Sequence, residues 1–272
     1  MNIENTPVVS ILMGVYNCEA TVENAILSIL AQTYLDWELI VCDDGSSDRT
    51  KNIVDKYAEM DSRIISISND CNMGLAYTLN YCYKIARGKY IARMDGDDIC
   101  AFNRLQIEKD FLEDNSQYAL VSCGMEFYDE GGVYGKYIYP VCPCETDLIK
   151  NSPFCHAGCM MRKGVLEQLG GYSVDKRVER MEDYDLWFRL MAAGLRGYNL
   201  ADILYSMRDD RNAFKRRKLV FRFRSTQLKW RIWVYFKLSF RYLPYVVLPI
   251  IKGLMPEWLY KYFHKKKLSI KN

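Results

Sequence analysis

Negative charge is nearly missing from one end of this 272-residue chain. From Phe214 onward there are sixteen Lys and Arg residues and a single acidic one, a net charge of +15, although the whole chain carries only +3. The preceding residues hold −12, so an acidic body precedes a basic tail. Internal repeats and low-complexity linkers are absent, which excludes solenoid architectures and leaves one composition shift, over 212–217. No apolar run is long enough to span a bilayer: Leu243–Leu254 is short, broken by Pro244 and Pro249, and edged by Arg241 and Lys252. Met1-Asn-Ile-Glu-Asn5 lacks the basic and apolar regions of a secretion leader, so a reducing cytosol is the expected setting for the ten cysteines. Their spacings match no recognised structural zinc pattern. Cys142-Pro-Cys144 and Cys155-His-Ala-Gly-Cys159 offer a zinc reading, and ordinary buried thiols offer a simpler one.

Half of the residues are apolar, enough for the full core of one large α/β domain with an appendage. The periodicity predicts strands over 8–15, 38–43, 64–68 and 89–95, and helices over 22–32, 49–60, 75–87 and 103–115. Such interleaving implies βαβ units and a mainly parallel sheet. The rhythm then changes. Stretches 118–128 and 133–139 read as strands around Asp129-Glu-Gly-Gly132, so the second half is expected to be antiparallel or mixed. A helix is expected to begin near Glu182, with Leu186, Trp187 and Leu190 on one face and acidic residues in its first turn, where the macrodipole favours them.

Two acidic clusters, Asp43-Asp44-Gly45-Ser46 and Asp95-Gly96-Asp97-Asp98, stand directly behind predicted strands. Ligands of open α/β sheets occupy the crevice beyond the strands' carboxyl ends, so both clusters are expected to line one crevice. Each Asp-Gly is also compatible with a plain turn. Four carboxylates converging on one rim would repel one another, which points to a bound cation.

With these clusters, the runs Val9-Ser-Ile-Leu-Met-Gly-Val-Tyr-Asn17, Ser28-Ile-Leu-Ala-Gln-Thr33, Asn72-Met-Gly74, Gly170-Gly-Tyr172 and Glu182-Asp-Tyr-Asp-Leu-Trp187 follow one another in an order that resembles the inverting GT-A glycosyltransferases of glycosyltransferase family two. The resemblance implies a GT-A fold, with a mainly parallel central sheet and a mixed second half. It implies a catalytic domain over 1–212, divided into a nucleotide-sugar half (1–100) and an acceptor half (101–212), followed by a helical tail over 213–272. The implied donor is a nucleoside diphosphate sugar, a UDP-sugar in first place, with Mg²⁺ or Mn²⁺ as the cation.

On the same resemblance, Gly14, Tyr16, Asn17 and Asp44 contact the nucleoside, with Asp44 on the base and Asp43 supporting the loop. Asp97 is the direct metal ligand of the DXD motif, and Asp95 touches the ribose or a metal-bound water. Gly96 admits the phosphates. Asp98 either belongs to the site or caps the following helix, and Arg93 is expected to form a salt bridge with one of these carboxylates. Asp183 is the expected general base, with a pKa raised by desolvation and like charge, and Glu182 is the alternative or holds the acceptor. One base without a second nucleophile implies inversion. His156 either approaches the diphosphate or acceptor or is a satisfied structural histidine. Arg208 matches a late family arginine near the diphosphate, although this chain has Asp210 where the family commonly has histidine.

In the tail, Lys218, Arg222 and Lys229 share one side of a helical wheel, and Val220, Phe223, Trp230 and Val234 share the other. Phe221, Leu228 and Ile232 interrupt the stripe. This is the composition of a helix at an anionic membrane surface. Packing on the catalytic body or on a second subunit is the alternative, and nucleic acid is not an expected partner. The expected function is therefore transfer of one sugar to a glycan or lipid-linked acceptor, by an enzyme peripheral on the cytoplasmic face of the membrane. The processive Gln-x-x-Arg-Trp motif is absent, which argues against polymer extrusion. Two rival functions remain: a sugar-nucleotide nucleotidyltransferase, whose glycine-rich basic N-terminal loop is missing here, and a non-catalytic scaffold, against which the intact acidic residues speak.

Overall fold

The computed structural model describes residues 6–208 and 219–254. Its first part alternates as the sequence predicts: β1 (Val9–Val15), α1 (Val22–Leu30), β2 (Trp37–Asp43), α2 (Thr50–Met60), β3 (Ile64–Ser68), α3 (Leu75–Ile85) and β4 (Tyr90–Asp95). There follow β5 (Ile99–Cys100), α4 (Arg104–Asp114), the hairpin β6 (Leu120–Asp129) and β7 (Gly132–Tyr137), α5 (Glu145–Leu148), β8 (Cys159–Arg162), α6 (Lys163–Gln168), α7 (Glu182–Ala192) and β9 (Gly197–Arg208).

These strands form one sheet in the order β3-β2-β1-β4-β8-β6-β9-β5, with β7 added beside β6. The first four are mutually parallel. β8 then runs antiparallel to both β4 and β6, which makes the second half mixed. β2 is buried along its whole length, as a strand covered on both faces must be. Side chains alternate between faces. Val9, Ile11 and Met13 pack with α1 and α2, whereas Leu12, Ile40 and Cys42 pack with Leu79 and Cys82 of α3. Arg104 and Glu108, both fully buried and 3.1 Å apart, fix α4 under the sheet, and Arg104 Nη2 donates to the carbonyls of Arg93 and Cys159.

α8 (Leu219–Tyr235) and α9 (Leu243–Leu254) form an arm on the same core as α3 and α7, through Leu228, Ile232 and Val246. The packing of α8 differs from the helical-wheel expectation. Leu228 and Ile232, which interrupt the predicted apolar stripe, are the residues that face the body. Lys229, placed by the wheel on the basic side, is buried, and its Nζ donates to the carbonyls of Ile149 at 2.7 Å and Lys150 at 3.1 Å. Those carbonyls lie just past α5 and would otherwise go unpaired inside the protein. The predicted stripe of Val220, Phe223, Trp230 and Val234 is 46–54% exposed, so α8 is apolar on two faces. Lys218 and the expected domain junction at 212–213 lie outside the described residues. Among the described residues no helix is long and apolar enough to cross a membrane.

Candidate active site

Strand register sets the two acidic loops side by side. Gly14 of β1 pairs with Cys42 of β2 on one side and with Asp95 of β4 on the other. The Asp44 amide donates to the Val15 carbonyl at 2.8 Å, so the chain leaving β2 folds over the end of β1. Both clusters stand at one rim, as their strand-end positions predict, but they do different work. Asp43 Oδ2 accepts from the Ser46 amide at 3.0 Å and supports the loop. Asp44 accepts from Asn69 Nδ2 and the Met73 amide on Oδ1, and from the Gly74 amide on Oδ2, at 2.7–2.8 Å. The expected convergence of four carboxylates is thereby corrected: turn donors engage both oxygens of Asp44 and one of Asp43, whose Oδ1 is buried without a partner. Gly45 follows at φ +72°, and a Cβ there would lie 2.8 Å from the Cys71 backbone. Asn17, also left-handed, ties the β1 and β2 loops together: its amide donates to Ser46 Oγ and its Oδ1 accepts from the Ser47 amide, both at 2.9 Å.

The second cluster is the crowded one. One carboxylate oxygen from each of Asp95, Asp97 and Asp98 lies within 4.8 Å of the other two. Arg93, buried in β4, reaches Asp95 at 2.6 Å, the salt bridge expected from sequence, while its Nε and Nη1 are buried without a hydrogen-bond partner. Asp98 does not cap α4. Tyr205 Oη and the Arg208 amide, both on β9, donate to its two oxygens at 2.8 and 2.7 Å, and the residue preceding α4 is Asn103. Burial, reinforced by Asp95 and Asp97, pushes the Asp98 carboxyl up to about 8. Asp97, on the open side, is raised by desolvation and then by Asp95. Hard oxygen donors that repel one another in this way suit Mg²⁺ or Mn²⁺, whose charge would relieve the repulsion. Gly96 has a requirement nearer than phosphate access, since a Cβ there would lie 2.6 Å from Val15 Cγ1.

Glu182 and Asp183 occupy the first turn of α7, both half-buried. Burial and then the charge of Asp183 push Glu182 up to about 7, with Asp95 adding to the effect. Asp183 is likewise raised by burial and accepts from Ser152 Oγ at 3.4 Å. Glu182 lines a cleft of about 580 Å³ together with Gly14, Tyr16 and Asp44 of the rim and Arg180 of the segment before α7. His156 Nε2 is 3.0 Å from Tyr172 Oη, and burial with the nearby Arg93 holds its pKa well below the usual histidine range, so the ring is neutral. Arg208 ends β9 beside Asp98, and Asp210 lies outside the described residues.

Tyr205 and Ser152 belong to none of the motifs that mark the site in the sequence. Tyr205 Oη both donates to Asp98 and accepts from the Asp95 amide at 3.2 Å, which joins β9 to the acidic loop. Its signal was the β-prone run Ile203-Leu204-Tyr205, obscured by Asn199 and Asp202 earlier in the strand. Ser152 carries no sequence signal, being placed by a loop.

Comparison with known proteins gives the family and the fold. The model of glycosyl transferase family 2 matches residues 10–170. EpsE of Bacillus subtilis, named as a glycosyltransferase, is 43% identical over 96% of this chain and 95% of its own length. WfgD of Escherichia coli, named as a UDP-Glc:α-D-GlcNAc-diphosphoundecaprenol β-1,3-glucosyltransferase, is 34% identical over 67% of this chain and 69% of its own. The mannosyltransferase PcManGT of Pyrobaculum calidifontis, solved with GDP-Man and Mn²⁺, superposes with a TM-score of 0.65 at 18% identity, covering 94% of this chain and 72% of that one, and has the same GT-A fold.

Proposed function

Because the chain belongs to glycosyl transferase family 2, we propose that it moves a single sugar from a UDP-sugar to a hydroxyl of a lipid-linked or surface-polysaccharide acceptor, with inversion. The observation that carries this reading is the crowded set Asp95, Asp97 and Asp98, standing at the same rim as a cleft with an acidic residue of raised pKa on its wall. WfgD, named for a UDP-sugar and a diphosphoundecaprenol acceptor, supports the choice of both substrates.

Gly14 and Tyr16 form the floor for the nucleoside, and Asp44 holds the adjoining loop through Asn69, Met73 and Gly74. Three of the roughly four acceptor positions of that carboxylate are taken, which leaves one for a donor on the base. Asp97, with Asp95 and Asp98, would hold a divalent cation that supplies positive charge toward the departing diphosphate. Arg93 fixes Asp95 from beneath, and Tyr205 fixes Asp98. Asp183 takes the proton from the acceptor hydroxyl. Burial raises its pKa, which makes the carboxylate a stronger base, and Ser152 donates to it. Glu182 is the competing base and otherwise holds the acceptor. His156, neutral and paired with Tyr172, shapes the floor between β8 and α7. Arg208 borders the cluster, where its charge favours the diphosphate.

The half-exposed apolar face of α8 and the basic tail seat the enzyme peripherally on an anionic membrane, where such an acceptor resides. The direct test is incubation with UDP-sugars, Mn²⁺ and a lipid-diphosphate-linked sugar, followed by NMR of the product. A new linkage whose anomeric configuration is opposite to that of the donor is expected. Retention, or pyrophosphate exchange without transfer, would overturn the proposal.

A further inference from the structure

A second cavity, about 500 Å³, opens between α8, α9 and the turn Lys176–Val178. Its walls are mainly apolar, built from Val178, Leu228, Trp230, Leu243, Val246 and Val247. One segment divides it from the cleft: Lys176, Glu179 and Arg180 line the cleft, whereas Arg177 and Val178 line the groove. That dividing segment and the helix beside it are rich in cations. Lys176, Arg177, Arg180, Arg224 and Arg231 stand against Asp175 and Glu179, and these two carboxylates are engaged by Arg177 and Arg224 at 2.5 and 2.7 Å. Arg180 keeps a left-handed backbone at φ +63° and sets its guanidinium 5.3 Å from the Phe221 ring centroid, at the foot of α8.

An apolar slot, a cationic divider and a sugar-transfer cleft in succession match, part for part, a molecule with a hydrocarbon chain, a diphosphate and a sugar. We propose that the α8–α9 groove takes the isoprenoid chain of a polyprenyl-diphosphate-linked acceptor, with its diphosphate at the 176–180 segment and its sugar in the cleft. This rests on the lipid-linked acceptor reading above. Apolar walls reward burial of each methylene, and guanidinium groups bind phosphate oxygens through charge-assisted hydrogen bonds. The fit also accounts for the helical arm, because Lys229 and Ile232 hold α8 to the body and the groove between α8 and α9 is thereby kept open beside the site.

The test uses the full chain and geranylgeranyl diphosphate as probe, with inorganic diphosphate as control, read by calorimetry. Val247, on the exposed groove wall, is changed to Glu, which makes the slot charged, and to Trp, which fills it while staying apolar. Wild-type protein should bind geranylgeranyl diphosphate more tightly than inorganic diphosphate. Both variants should lose about tenfold or more of that affinity, as expected from losing the burial of a few methylenes, while UDP binding is unchanged. Equal binding of the probe by wild type and both variants overturns the proposal, as does a wild type that prefers inorganic diphosphate. If Val247→Glu frees the protein from phosphatidylglycerol vesicles while probe binding survives in Val247→Trp, the groove serves the bilayer and the proposal fails. Probe binding that depends on Val247, in a protein that transfers to no lipid-linked acceptor, supports the groove and sinks only the acceptor reading. Transfer to a polyprenyl-linked acceptor with a KM indifferent to both variants sinks the groove alone.

Discussion

Asp97 stands on the open side of the acidic cluster, and Asp98 is buried behind it under Tyr205. An amide cannot replace a hard anionic ligand, so Asp97→Asn should abolish metal-stimulated transfer; wild-type turnover in that variant would remove Asp97 from the metal site. The two acids of α7 separate by a different measurement. Asp183→Asn should lower transfer by about two to four orders of magnitude, the usual span for general-base catalysis, and leave the affinity for UDP intact. Should Glu182→Gln fall that far and Asp183→Asn turn over normally, the roles are exchanged. Glu182 also makes a prediction about stability. Its folded pKa, about 7, is raised above the unfolded value near 4.5, so the folded state binds the proton more tightly between these values. Its contribution is therefore fully present below pH 4.5 and lost as pH rises through 7. Thermal denaturation should show Glu182→Gln equal to wild type at pH 4 and more stable at pH 8, by a few degrees; an identical difference at both pH values would contradict the raised pKa.

At the scale of elements, the arm depends on a buried lysine. Lys229→Ala would leave the carbonyls of Ile149 and Lys150 without a partner, at a cost of about 1–3 kcal/mol. Chemical denaturation checks this, and an unchanged midpoint would mean that α8 is held by apolar contacts alone. Burial also lowers Lys229 to about 8, so the stability of wild type relative to the Ala variant should grow as pH rises from 8 toward 10.5, whatever the other titrating groups do to both proteins. The sequence pattern revealed β1 to β4 and their helices because buried parallel strands are continuous apolar runs followed by Gly and Asp, and the rim residues of the site follow directly from those strand ends. It did not reveal β5, β8 or β9. β5 has two residues, β8 has four between antiparallel neighbours, and β9 slips register against β6 between Ser122 and Met125, which breaks the alternation. Tyr205 was hidden with β9, and with it the reason why Asp98 joins the cluster instead of capping a helix. The helical wheel misread α8 because a helix that is apolar on two faces has no single stripe, and only packing decides which face turns inward.

For the whole molecule the dominant feature is charge separation, −12 in the body and +15 from Phe214 onward. On the proposed peripheral reading, an anionic bilayer would repel the negative body and draw in the positive tail, which would orient the enzyme as well as hold it. Each engaged Lys or Arg contributes roughly 1 kcal/mol near such a surface, and salt screens it. Vesicle sedimentation should show binding to phosphatidylglycerol at low salt that weakens but persists at high salt, since burial of Phe223 and Trp230 is insensitive to ionic strength; indifference to anionic vesicles at low salt would leave the arm a purely intramolecular element. The central claim is that a divalent cation on Asp95, Asp97 and Asp98 joins the nucleotide to the acidic rim. Calorimetric titration of UDP into the full chain tests it most directly, with Mn²⁺, with chelator, and with Asp97→Asn. Binding should require Mn²⁺ and vanish in the variant. UDP that binds equally well in chelator would contradict it.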